Sequence, residues 1–213
     1  MPMQTRMWLV VGFVVAGLLT VNGCVSLSKP YVAKEAYAIE VEVPGKPIEP
    51  LSDQVLRVRE LRVASPYEEQ SLMRRLANGT YQRDYYHIYV ASPDAMLTGQ
   101  AMRYLTASGP FAVVVPPSSL ATTSLVLEGR VTSLLGDMAD PDGPHAVIAA
   151  EFFLIDNSSG DALVVMDKSY TAKSPLTDDS APTLVNALSQ AWTQVIASLA
   201  QDLGQHTAPP SSH

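Results

Sequence analysis

One cysteine, Cys24, stands in a chain of 213 residues, so no disulfide can form within it. The fold must therefore rest on its apolar core alone. Basic residues are also scarce: 14 lysines and arginines face 21 acids, a formal net charge of −7. That deficit excludes the broad basic face that nucleic-acid binding needs, and equally a polybasic membrane-surface role. Histidine is limited to four positions, His87, His145, His206 and His213, and no two have zinc-ligand spacing. The chain has no Gly-x-x-x-x-Gly-Lys loop to cradle a phosphate and no Gly-x-Ser-x-Gly elbow. Asp137, Asp140 and Asp142 crowd one loop, "GDMADPDGP", but the glutamate that closes a calcium loop is missing. Nothing in these residues calls for a metal, a cofactor or a catalytic role. No internal repeat is present.

What is present begins with the first 23 residues. Arg6 is followed by an apolar run, Trp8–Leu19, and then by "TVNG" ahead of Cys24. A charged start, a short apolar stretch and small residues before a cut are the layout of a secretory signal. The run is shorter than the roughly 20 residues that span a bilayer. Val21-Asn22-Gly23-Cys24 resembles the bacterial lipobox, with Asn22 where a smaller residue is usual. That resemblance implies a diacylglycerol thioether on Cys24, cleavage between Gly23 and Cys24, and acylation of the new amino terminus. Sulfur is the side-chain nucleophile suited to this alkylation, and two or three acyl chains hold a protein on a membrane. Val25 follows, not the aspartate of an inner-membrane retention mark, and resemblance to the enterobacterial sorting rule then implies the periplasmic face of the outer membrane as the location.

Without residues 1–23 the formal charge becomes −8, because that segment carries Arg6 and no acid. The remaining length and apolar content suit one domain. Residues 1–23 read as a signal peptide and 24–34 as a lipidated tether. Residues 35–204 form the domain, and 205–213, "QHTAPPSSH", a disordered tail. Seven strands are expected, at Tyr37–Val43, Val55–Val63, Tyr81–Val90, Phe111–Val115, Ser124–Leu134, Ala146–Ile155 and Leu163–Tyr170. "PGKPIEP" after the first is a loop, and "DNSSGD" predicts a hairpin between the last two. In "VLRVRELRV" the alternation puts Val55, Arg57, Arg59 and Leu61 on one side.

Two helices are predicted. Ser92-Pro93-Asp94 should cap the first, which buries Leu97, Ala101, Met102 and Leu105. The second starts near Ala181 with an apolar stripe through Leu184, Leu188, Ala191, Val195, Leu199 and Leu203, and Gly204 should end it. The expectation is an α+β domain, a largely antiparallel or mixed sheet with two helices packed on it.

Tyr81, Tyr85, Tyr86 and Tyr89 fall within nine residues, close after Arg74 and Arg75. Tyrosine favours half-buried strand positions, and it is also enriched in protein-binding faces. Both readings fit the cluster, and the second makes these six residues candidate partner contacts.

The ordered features together resemble the ABC-type transport auxiliary lipoproteins, the group that includes the paraquat-inducible protein C lipoproteins. They are the lipobox cysteine, Tyr37-Ala38-Ile39, "VLRVRELRVASPYEEQSLMRR", "SPDAML", "SGPFAVVV", "LVLEGRVTSLLGD", "AEFFLIDNSSGDAL" and "LVNALSQAW". Several members have a tryptophan in the aromatic strand, where this chain has Tyr85, Tyr86 and His87. The resemblance implies a non-enzymatic docking subunit of an envelope lipid-transport system, partnered by an MCE-domain protein with its ABC permease and ATPase. It also implies symmetric homo-oligomerisation around a conduit. Two other functions compete: a lipid carrier whose cavity Leu125, Leu127, Phe152 and Phe153 would line, and an outer-membrane assembly factor.

Overall fold

A long central strand organises the domain. The computed structural model describes residues 32–44 and 52–207. Chain order runs β1 (Glu35–Tyr37), β2 (Ser52–Val58), β3 (Arg62–Val63), β4 (Ser71–Arg75), β5 (Tyr81–Tyr89), α1 (Pro93–Ser108) and β6 (Phe111–Val115). It continues with β7 (Leu125–Asp137), β8 (His145–Asp156), β9 (Leu163–Pro175) and α2 (Ala181–Thr207).

β7 pairs antiparallel with β8 along its length, and β8 pairs antiparallel with β9 across the expected "DNSSGD" turn. The other edge of β7 is shared by three short strands in succession, all parallel to it. β2 takes its start (Leu56 opposite Leu125), β3 its middle (Val63 opposite Val131) and β4 its end (Arg74 opposite Gly136). β6 extends the sheet beyond β2, while β5 and then β1 extend it beyond β4. The sheet therefore forks, with β7 as its stem. Nine strands form it among the described residues, not seven.

The two additional strands have physical causes. The expected Val55–Val63 strand is broken at Arg59 and Glu60, which shifts its phase: Leu56 and Val58 are buried, then Leu61 and Val63. Without that break Leu61 would face solvent, so the predicted single alternation is corrected. β4 has no clear period of two, because Leu72 and Met73 are both buried.

The predicted first strand is likewise shortened. Only Glu35–Tyr37 pairs with β5; residues 38–43 run on as an extended strap with no strand partner. Their amides bond to helix side chains instead. Ile39 and Val41 donate to Met96 Sδ and Gln100 Oε1 of α1, at 3.4 and 3.0 Å. Glu40 and Glu42 donate to Ser189 Oγ and Thr193 Oγ1 of α2, both at 3.1 Å. Two residues of extended chain rise about 6.6 Å and four residues of helix about 6.0 Å, so alternate amides meet i and i+4 side chains in step. Ile39 and Val41 are buried at this seam.

Both helices lie on one face of the sheet. β8 alternates strictly, burying Ala146, Ile148, Ala150, Phe152 and Leu154. α2 meets that face with the predicted stripe, widened by Trp192 and Ile196, all of it buried. The Trp192 and Phe152 rings lie 6.4 Å apart. Each fully buried large apolar side chain here contributes about 1.5–3 kcal/mol. Ser180 caps α2, its carbonyl accepting from Leu184 N and its Oγ from Thr183 N. The helix passes through Gly204 to Thr207, so the predicted stop at Gly204 and the first three residues of the predicted tail are corrected. In α1 the Ser92 side chain makes no capping bond, although its carbonyl accepts from Met96 N. The loop at 45–50 and the last six residues of the predicted tail lie outside the described residues.

Candidate functional site

Gly23 and Cys24, the expected cleavage and lipid-attachment positions, also lie outside the described residues. Among the described residues no helix is long and apolar enough to cross a membrane.

The arginines and tyrosines proposed as partner contacts separate into two groups. Tyr89 is 1% exposed and belongs to the core. Its hydroxyl is buried without a hydrogen-bond partner, and burial pushes its ionisation well above the usual tyrosine range. Arg74 and Arg75 are half-buried, and each is engaged by a carboxylate. Arg74 pairs with Asp84 at 3.3 Å and donates to the Asp179 carbonyl at 3.0 Å. Arg75 grips Asp137 with two prongs, Nε to Oδ1 at 2.8 Å and an Nη to Oδ2 at 2.5 Å. This two-pronged geometry is the strong form of a guanidinium–carboxylate pair, and it ties β4 to the end of β7. By its burial Tyr89 is corrected as a surface contact, while Arg74 and Arg75 are half-buried residues engaged in ion pairs.

Tyr81, Tyr85 and Tyr86 are 56%, 68% and 44% exposed. Tyr85 and Tyr86 stand on a bulge. Between two register points β4 advances from Ser71 to Met73 while β5 covers Arg83 to Ile88. Bulges re-aim side chains at sheet edges. Asp84 holds this one: its Oδ1 accepts from the amides of Tyr86 and His87, both at 3.0 Å, and its Oδ2 lies 2.7 Å from His87 Nδ1. Burial works against the Asp84 charge, but the bonds from His87 and from the Tyr86 amide prevail and hold the carboxyl below its ordinary value.

Two carboxylates of the acidic loop, Asp137 and Asp140, are buried and engaged by partners within the fold. Asp137 is taken by Arg75, and Asp140 by Lys173 at 2.6 Å and by the Asp142 amide at 3.0 Å. Among the described residues no group of three or more metal-ligating side chains forms. His145 Nδ1 lies 2.6 Å from the Gly143 carbonyl and donates to it, and His206 falls in the last turn of α2.

The opposite face of the sheet carries no helix. One register row crosses five strands there: Val115 of β6, Arg57 of β2, Val126 of β7, Ile155 of β8 and Val164 of β9. Val164 is exposed at the tip of the last hairpin, as are its chain neighbours Leu163 and Val165, and Val113 is exposed at the far edge. A cleft of about 780 Å³ takes in the middle of this row, Arg57, Val126 and Ile155, and is lined besides by Arg59, Glu60, Arg62 and Glu128 and by Asp94 from the first turn of α1. The Arg57 guanidinium donates to the Ala121 carbonyl, yet its Nε is buried without a partner. Arg59 pairs with Glu128 at 2.5 Å. Sequence reading did not single out this surface; its signal was the arginine at every second place in "LRVRE". Phe152, Leu125 and Leu127 belong to the core, while Phe153 alternates to this open face, so the four do not line one cavity.

Comparison with known proteins agrees with the architecture. No curated protein matches the chain. Among solved structures, protein XCC0632 from Xanthomonas campestris, of the family DUF330, is similar at a TM-score of 0.69 and 23% identity. The match covers 81% of this chain and 98% of that one. The hypothetical protein CT253 from Chlamydia trachomatis shares the fold at a TM-score of 0.54 and 7% identity, covering 73% of this chain and 98% of that one. Residues 37–200, from the end of β1 deep into α2, match the family described as the ABC-type transport auxiliary lipoprotein component. The forked sheet, its two helices and the match over most of the chain make this protein a member of the ABC-type transport auxiliary lipoprotein family.

Proposed function

We propose that the protein is a non-enzymatic docking subunit, held by acyl chains on Cys24 at the periplasmic face of the outer membrane. Its partner is an MCE-domain protein joined to an ABC permease and ATPase. The observation that carries this reading is the uncovered sheet face. Helices bury one side of the sheet and leave on the other an apolar row, Val115, Val126, Ile155 and Val164, broken by the Arg57 guanidinium. An apolar surface with a buried-edge arginine is the composition of a protein contact. Tethering raises local concentration, so a modest contact at this face is enough to hold the partner. A homo-oligomer fits the same scheme, because several copies would present the face repeatedly around one conduit.

The test is cross-linking of the tagged full chain in its native membrane, followed by identification of what co-purifies. An MCE-domain protein is expected with the unaltered chain. It should be lost with Val164→Asp on the open face, and Cys24→Ala should lose the membrane. Recovery of phospholipid in stoichiometric amount, without a protein partner, would overturn docking in favour of a lipid carrier.

A further inference from the structure

The Tyr85–Tyr86 bulge is built to project. Its two rings lie edge to face, 5.1 Å apart at 89°, and Asp84 fixes the backbone beneath them through the two amides and His87. Both rings are open to solvent. Val90, the residue that follows β5, is exposed as well. Neither tyrosine contributes to the core or to the open-face row.

The position of the pair relative to the chain's start is the second observation. The Lys34 ammonium sits 4.6 Å over the Tyr85 ring. Lys34 immediately precedes β1, and the chain ahead of it reaches Cys24 in ten residues. Ten residues span at most about 35 Å when fully extended. The knob therefore stands at the root of the segment that carries the acyl chains, and it can never be farther from the bilayer than that segment allows.

We propose that Tyr85 and Tyr86, with Lys34, seat on the phospholipid headgroup layer of the bilayer that receives the acyl chains of Cys24. This rests on the anchoring reading above. Tyrosine gathers at membrane–water interfaces because its ring enters the apolar boundary while its hydroxyl stays with the headgroups. The Lys34 ammonium supplies a partner for the lipid phosphate. The contact fixes the orientation of the domain, turning a loose tether into a two-point attachment.

The lone cysteine makes the test clean. In the acylated chain Cys24 has no free thiol, so Tyr85→Cys and Tyr86→Cys each offer a single labelling site, and Leu163→Cys on the far hairpin is the control. Full-length acylated protein is labelled with a nitroxide and reconstituted in vesicles of phosphatidylethanolamine and phosphatidylglycerol. Collision with oxygen and with a water-soluble nickel chelate is then measured. Severalfold loss of nickel accessibility at positions 85 and 86, with none at 163, is expected. Equal nickel accessibility at all three overturns the proposal and leaves the anchor standing. An intact mass without acyl chains on Cys24 overturns the anchor and the proposal together.

Discussion

Phe152 faces Gly129 across the β7–β8 register, and its ring fills the space a side chain at 129 would need. A Cβ there would lie 2.7 Å from Phe152 Cδ1 and 2.7 Å from Leu61 Cδ2. Both neighbours are buried and have no room to retreat. Gly129→Ala should therefore cost about 1–3 kcal/mol through overpacking. Gly99, in α1, meets nothing within 4 Å, and Gly99→Ala should stabilise by about 0.4–1 kcal/mol. Urea unfolding midpoints moving in opposite directions check the pair; a midpoint unchanged by Gly129→Ala would mean the core gives way easily.

The strap at residues 38–43 should be most sensitive at Val41. Its amide is buried, and Gln100 is its acceptor. Gln100→Ala strands that donor, at a cost of about 1–3 kcal/mol. Ser189→Ala removes the acceptor for Glu40, which is exposed and can turn to water, so it should cost less. Amide exchange at Val41 and Glu40 in the two variants reports the order directly.

The tyrosine bulge should loosen in acid. Asp84 has its folded ionisation below the ordinary value of 3.8. A depressed carboxyl contributes stability that is complete above the unfolded value and disappears as pH falls through the folded one. The amide shift of Tyr86 should therefore carry a titration step with its midpoint below 3.8. Asp84→Asn should abolish that titration. A midpoint above 3.8 would show that burial, not hydrogen bonding, dominates at this site.

Arg75 and Val164 should fail in different ways. Arg75→Ala leaves the carboxylate of Asp137, itself buried, without its two-pronged partner. The unfolding midpoint should drop while partner recovery from membranes persists in the folded fraction. Val164→Asp alters an exposed position, so the midpoint should stay and recovery fall severalfold. The reverse pattern would move the docking surface back to the arginines.

The extent to which this architecture is legible in the sequence follows from how locally each element is determined. β7 is read from alternation, β8 from a nearly continuous apolar run, the start of β9 from the turn-rich "DNSSGD" before it, and α2 from its stripe, because these signals lie within single segments. The phase break at Arg59 and Glu60 is invisible locally; it exists because Leu61 must reach Thr98 and the core, and its amide donates to Thr98 Oγ1 at 2.9 Å. The strap alternates like a strand, and only the helices far along the chain decide that its amides bond to side chains. The four tyrosines look equivalent in sequence. The bulge at Asp84 separates them, exposing Tyr85 and Tyr86 while Tyr89 falls inward. The parallel order of β2, β3 and β4 along one edge of β7 depends on long crossovers, which leave no mark in the strands themselves.

The threading of residues 38–43 between α1 and α2 also has a mechanical meaning. A pull on the chain ahead of Lys34, directed along β1, meets bonds that run across the line of force: the β1–β5 ladder and then four amide bonds to two helices. Loaded in shear, these bonds share the force and yield together, whereas a strand peeled from its end would lose them one at a time. The domain thus meets tension at its leading end with a segment bonded to two helices, and transmits that tension into both at once.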